Sequence, residues 1–156
     1  MDRLIVRPME EQDLSQVAAI EQEAFSTPWS LQSFRDSLGL PHAIFLIAEY
    51  EGEIAGYCGC YQSIEEGEIT NVAVKRDFRR RGIARTLLEK LFRECRSRGI
   101  GSILLEVRAG NRAAMGLYES LGFEQAGIRR NFYEKPREDA VIMWKRFPIS
   151  EQNIIL

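Results

Sequence analysis

Residues Asn71 to Ala84 read NVAVKRDFRRRGIA, and the rest of the chain is arranged around them. The stretch opens on a short apolar run, Val72-Ala73-Val74, of the kind that forms a buried strand. It turns through Lys75-Arg76-Asp77-Phe78 and ends in Arg79-Arg80-Arg81-Gly82-Ile83-Ala84, directly before a periodic helical pattern. A strand that delivers a glycine-containing, arginine-rich turn to a helix N-terminus is a device for holding an anion. The first helical N–H groups have no partner inside the helix, and the helix dipole adds partial positive charge there. Gly82 lets the backbone approach a ligand with no Cβ between them. The plainer alternative is a basic, solvated turn before an ordinary helix. The segment carries no G-x-G-x-x-G and no Gly-Lys-Ser/Thr, so it is neither a dinucleotide fingerprint nor an NTPase phosphate loop.

The charge pattern sharpens this reading. The whole chain has a formal net charge of -2, so no global field draws nucleic acid. The positive charge is local: Lys75, Arg76, Arg79, Arg80, Arg81 and Arg85 form a patch on the scale of a phosphate-bearing cofactor. A chain of 156 residues is long enough to bury a core, and we expect one domain over 1–147 followed by a tail, 148–156, with no evident role. The N-terminus has no apolar core of signal-peptide type, and no apolar run approaches the roughly 18 residues of a membrane span. We therefore expect a cytoplasmic protein with no membrane partner. Cys58, Cys60 and Cys95 are an odd set without C-x-x-C spacing, and they read as reduced thiols. With His42 the only histidine, no histidine-based metal site is expected.

Outward from the central stretch, Ala43 to Tyr50 and Ile54 to Ile64 read as strands joined at Glu51-Gly52-Glu53, and Glu68 to Val74 as the next. Together they predict an antiparallel meander that presents the arginine turn. Upstream, Leu4-Ile5-Val6 is a short strand. A helix opening at Glu10 or Glu11 carries Leu14, Val17, Ala18, Ala24 and Phe25 and stops before Pro28-Trp29. Ser30 is a good N-cap for a short helix with Leu31, Phe34 and Leu38. Downstream, Leu87, Leu88, Leu91, Phe92 and Cys95 repeat at helical spacing up to the Gly99 stop. Ile103 to Val107 reads as a buried strand, Asn111 caps a helix ending at Gly122, and Phe123 to Ile128 and Ala140 to Trp144 are closing strands.

Several side chains admit two readings. Glu106 interrupts an apolar strand: it is either a carboxylate at the sheet end or one held in a cleft, where burial would fit it to accept a proton. Tyr118 lies two turns into the helix capped by Asn111. It is either a core tyrosine or a phenol that donates a proton to a leaving group. Trp29 is either a lid on the core or the wall of a groove. Glu65, Glu66 and Glu68 are either a solvated turn or an attraction for a cationic substrate.

The stretch Arg79-x-x-Gly82-x-Ala84 resembles the pyrophosphate loop of the GNAT superfamily of N-acetyltransferases, whose pattern is Gln/Arg-x-x-Gly-x-Gly/Ala. LEVRAGNRAAMGLYESLGF, Leu105 to Phe123, resembles the Leu-Glu-Val-Arg-Ala-x-Asn and Leu-Tyr-Glu-x-Leu-Gly-Phe elements of its RimI-like group, bacterial enzymes that acetylate ribosomal proteins at the N-terminus. FSTPWS around Trp29 and IRRNFY, Ile128 to Tyr133, resemble segments that border the peptide site in that group. The resemblance spans about Leu4 to Phe147.

It implies an α+β GNAT fold: a central, mixed, mostly antiparallel twisted sheet of about six to seven strands flanked by about four helices. It implies acetyl-CoA as cosubstrate, with the pantetheine arm on Val72, Ala73 and Val74. The pyrophosphate then falls on Arg79, Arg80, Arg81, Gly82, Ile83, Ala84 and Arg85, and Asn111 touches CoA. It assigns Glu106 as general base, Tyr118 as general acid, and Trp29 and Tyr133 to the peptide site, and it places no metal. Phe132 stands where the family has a tyrosine, so any contact made by that hydroxyl is lost. The implied substrate is a protein α-amine, possibly that of a ribosomal protein with N-terminal alanine. An α-amine, with a pKa near ~8, asks less of a base than a lysine amine near ~10.4. The alternatives are acetylation of lysine or of small-molecule amines, and a non-catalytic acyl-CoA-binding module. A backbone N–H near Val74, where the sheet is expected to splay, would hold the oxyanion.

Overall fold

A computed structural model describes residues 3–148. The tail 148–156, apart from Pro148, lies outside the described residues. Seven strands form one sheet in the order β1-β2-β3-β4-β5-β7-β6. They are β1 (Leu4–Pro8), β2 (Ala43–Tyr50), β3 (Glu53–Ser63), β4 (Glu66–Val74), β5 (Ser102–Arg108), β6 (Glu124–Glu134) and β7 (Arg137–Arg146). Among the described residues four α-helices flank it: α1 (Leu14–Ala24), α2 (Leu31–Leu38), α3 (Ile83–Ser97) and α4 (Arg112–Ser120). All neighbouring strands are antiparallel except β4 and β5. This is the mixed, mostly antiparallel α+β sheet expected from the sequence.

The alternation of side chains along the strands divides the interior in two. On β2, Ile44, Leu46 and Ala48 face α3, while Phe45 and Ile47 face α1 and α2. The α3 stripe predicted from its 3.6-residue period is buried in full, at Leu87, Leu88, Leu91, Phe92 and Cys95. Gly59 is required by packing: a Cβ there would sit 2.1 Å from the Phe45 ring. The three cysteines are free and buried on the α3 side.

The element ends differ from the sequence reading in instructive places. The first helix begins with a 3-10 turn over Glu11–Asp13, and α1 buries Ile20 and Glu21, whereas Phe25 is exposed. Strand β5 is not buried on both faces: Ile103, Leu105 and Val107 are buried, and Ser102, Leu104, Glu106 and Arg108 lie on the other, half-open face. Glu106 therefore interrupts nothing, since it belongs to the face that looks away from α3. The closing strands are longer than their apolar cores, because β6 is an edge strand and most of its side chains are exposed. Ile128 to Tyr133, read from sequence as a site border, contains the irregular part of that strand, between Arg129 and Tyr133, with Asn131 at φ 53°.

The parallel pair decides where chemistry can happen. β4 and β5 are joined only at Glu66–Ser102, Gly67–Ile103 and Glu68–Leu104. Beyond that they part, and the sheet opens into a gap that runs past Val74. The expected splay is present, and it starts well upstream of that residue.

Candidate active site

The gap is the floor of a cleft of about 720 Å³. Its walls come from Ile69–Val72 of β4, Leu105–Arg108 of β5, Asn111, Ala114 and Tyr118 at α4, the end of α1 with the loop to Trp29, and Phe132–Glu134 of β6 with Lys135 after it. Six residues chosen from sequence thus line one cavity: Trp29, Val72, Glu106, Asn111, Tyr118 and Tyr133.

On the β4 side the backbone is the functional group. The Lys75 N–H is bonded to the Ala55 carbonyl, and Gly56–Val74 and Cys58–Val72 face each other across β3 and β4. By the alternation of an antiparallel ladder, the amides of Val72 and Val74 point away from β3 and into the gap. Ala73 is the exception among the three residues: it pairs with Tyr57 on β3 and its side chain packs on the α1 side. The Val74 carbonyl is taken by Arg79 Nε at 3.1 Å.

Past Val74 the chain makes the turn read from the sequence. Arg80 and Gly82 have left-handed backbones, at φ 66° and 76°. Gly82 is the N-cap of α3, and a Cβ on it would meet nothing within 4 Å. The first intrahelical bond is donated by Thr86 to the Gly82 carbonyl, so the N–H groups of Ile83, Ala84 and Arg85 are left open at the positive end of the dipole. Arg81 lies over the Tyr50 and Phe78 rings, and Arg85 donates to Ser120 Oγ at 2.6 Å. These residues fit an anion with a thin, extended attachment, such as a pyrophosphate and its arm. The loop flanks the cleft beyond the end of β4.

On the β5 side, the Glu106 side chain is 16% exposed and one oxygen, Oε2, forms an ion pair with Arg129 Nε at 2.7 Å. Glu68 lies nearby: partial desolvation and then the charge of Glu106 push its carboxyl upward. Glu65, Glu66 and Glu68 are all exposed, so the acidic group is solvated and none of it lines the cleft. Tyr118 is 9% exposed. Burial first, then the nearby Cys58 and Tyr133, push its phenol up to about 12, so it stays protonated at neutral pH. Asn111 spends its Oδ1 on the Ala114 N–H at 3.1 Å as the α4 cap, leaving its Nδ2 available.

The aromatic walls are anchored from behind. Trp29 packs on Phe34 and Phe45 at ring distances of 5.2 and 5.9 Å, so it is both a lid on the core and a wall of the groove. Tyr133 stacks under the Arg108 guanidinium, 4.3 Å from its ring centre. Its phenol is pushed up by burial and by Glu106, against the opposing pull of Arg108.

Sequence reasoning missed Arg108, Glu138, Glu21 and Asn71. Arg108 bonds Glu138, the Pro136 and Lys135 carbonyls, and Ser26 Oγ, which ties β5 to the β6–β7 hairpin and to the loop bearing Trp29. Glu138 also accepts the Gly110 N–H at 2.7 Å. The signal for Arg108 was its place on the same face of β5 as Glu106, two residues on.

The profile of the family described as "Acetyltransferase (GNAT) family" matches residues 14–123. A [Ribosomal protein bS18]-alanine N-acetyltransferase of Escherichia coli K12 is 41% identical over 147 residues, covering 93% of this chain and 97% of that protein. One of Salmonella typhimurium is 42% identical over 140 residues, covering 88% and 93%. The crystal structure of the ribosomal-protein-S18-alanine N-acetyltransferase from Escherichia coli superposes with a TM-score of 0.87 at 36% identity, over 98% of this chain and 99% of that one.

Proposed function

The chain belongs to the GNAT family of acetyltransferases, and from that premise we propose that it moves the acetyl group of acetyl-CoA to the N-terminal alanine of ribosomal protein bS18. The observation that carries the reading is the meeting of Glu106 and Tyr118 in one cleft at the β4–β5 gap, beside the open N-terminus of α3. When bound, acetyl-CoA supplies the activated acyl group as a thioester. The chain's own residues do the rest. The open N–H groups of α3 and the arginine turn hold the pyrophosphate, and the free amide edge of Val72 and Val74 holds the arm. The Val74 N–H is the donor available to the acyl oxygen.

Glu106 takes a proton from the attacking amine through the oxygen that Arg129 leaves free, and Tyr118 gives a proton to the departing sulfur. Trp29, Phe132 and Tyr133 confine the first residue. Aromatic walls give wide apolar contact with few torsions to freeze, which suits a narrow slot and a small side chain. The test is a peptide series assayed by CoA release: the bS18 N-terminus, copies with bulky first residues, an N-terminally blocked copy with an internal lysine, and polyamines. The alanine peptide should be fastest. Bulkier first residues should be graded downward, since a methylene in such a pocket is worth about 1–3 kcal/mol. Faster acetylation of the blocked lysine peptide or of a polyamine would overturn the N-terminal assignment.

A further inference from the structure

Neither proton step uses Glu21, the buried carboxylate in the wall of the cleft opposite Glu106. Glu21, on α1, lines the cavity and is 2% exposed. Its Oε2 accepts the Trp29 N–H at 2.9 Å. Its Oε1 accepts the Tyr57 hydroxyl and, at 3.3 Å, Nδ2 of Asn71. Burial and the Glu21 charge both push the Tyr57 phenol upward, which keeps it a donor. Glu21 is therefore fully engaged with groups of the protein itself.

Asn71 is not. It is 4% exposed and lines the cleft, and its Oδ1 is buried with no partner. The neighbouring Thr70 Oγ1, in the same wall, is likewise buried and unpartnered. Native proteins rarely leave such atoms orphaned unless a ligand or water completes them. The amide cannot relieve this by turning over, because Oδ1 would then face Glu21 Oε1, acceptor against acceptor. Glu21 thus locks Asn71 with its oxygen free. Asn71 and Glu106 lie on the same face of the sheet, on the two strands that part to form the gap.

We propose that Asn71 Oδ1 accepts a hydrogen bond from the substrate's α-amine, and that Glu21 is the positioning residue that fixes its orientation. The proposal rests on the reading of the cleft as an amine site. Glu106 removes one amine proton. A second N–H then needs an acceptor that holds it without taking it, and an amide oxygen does that. The pair of contacts turns the nitrogen lone pair toward the acyl carbon.

The test is a double-substitution cycle in the presence of CoA. It pairs wild type and Asn71→Leu, a side chain of similar volume with no acceptor, with an alanine-first peptide and its des-amino copy, in which propanoyl replaces alanyl. Binding is read by calorimetry. Wild type should discriminate against the des-amino peptide, and Asn71→Leu should lose about tenfold of that discrimination. The KM for the alanine peptide should rise to match, with acetyl-CoA affinity unchanged. Glu21→Gln should shift both quantities in the same direction, since a glutamine amide beside Asn71 allows it to turn. If Asn71→Leu does not fold, Asn71→Ser enters the same cycle. Equal discrimination by wild type and variant overturns the proposal and leaves the amine site standing. A wild type that binds both peptides equally overturns the amine site, and the proposal with it.

Discussion

The two faces of the sheet are packed in different ways. The face under α3 and α4 is dry, with leucines, isoleucines, three thiols and the rings of Phe92, Tyr118, Phe123 and Phe147, and none of its buried members is charged. The face under α1 and α2 mixes aliphatic side chains with the rings of Phe34, Phe45 and Tyr57, and the four buried polar residues among the described residues, Asp13, Glu21, Ser37 and Asn71, belong to its elements or bond to them. A dry face can be held by shape alone. A face with buried polar groups must satisfy each of them, which fixes orientations as well as positions. The difference separates the tasks: one face carries stability, and the other presents oriented groups to a gap in the sheet.

Glu106→Gln should break the active face while sparing the other. Loss of a general base typically costs about 10²–10⁴-fold in turnover. Acetyl-CoA affinity should stay near wild type, because the proposed arm and pyrophosphate sites lie on β4 and α3. Thermal stability should change little, since the Arg129 partner is 55% exposed and such pairs contribute modestly. Wild-type turnover at neutral pH would remove Glu106 from the mechanism.

Leu88→Ala is the mirror experiment. Leu88 is fully buried under the sheet. Its truncation should cost about 2–5 kcal/mol by denaturant unfolding. The rate per folded molecule should be unaltered. A variant that folds stably but loses turnover would show that the two faces are not separable.

The sequence made the dry face legible and the active face only partly so, for a physical reason. Helix α3 is buried along one stripe, and a 3.6-residue period reports that directly. Glycine stops at Gly99 and Gly122 are both left-handed, as their positions implied. Glu21 was invisible because a glutamate in a helical pattern is read as solvent-facing, and only the fold brings Tyr57 and Asn71 to it from 36 and 50 residues away. From sequence Glu106 reads as a break in a buried run, whereas it sits on the open face of an alternating strand. The gap itself depends on how many residues of two parallel strands pair, and nothing local encodes that. The resemblance to a family supplied the roles that spacing could not.

Gly82 caps α3, beyond the end of β4. Gly82→Ala adds a methyl to open space but forces a left-handed backbone on alanine, at a stability cost of about 1–2 kcal/mol. Gly82→Asp adds in addition a negative charge beside the open N–H groups of α3. Its acetyl-CoA affinity by calorimetry should therefore fall well below that of Gly82→Ala. Equal affinities for the two variants would mean that the anion is held elsewhere.

Tyr118 tests the division most finely, because it belongs to both faces. It packs in the dry core, 5.6 Å from the Phe123 ring, and it also lines the cleft. The dryness of that core is what pushes its phenol up to about 12, from an ordinary value near 10. A general acid works only while protonated, so its contribution is present below its pKa and is lost as the pH rises through it. An unperturbed tyrosine would begin to fail near pH 10. In this site turnover should show no falling limb from Tyr118 between pH 7 and 10, and Tyr118→Phe should lower turnover across that range without creating a new limb. A falling limb near pH 10 that vanishes in Tyr118→Phe would show a phenol reached by water. The dry face would then not extend to the Tyr118 hydroxyl.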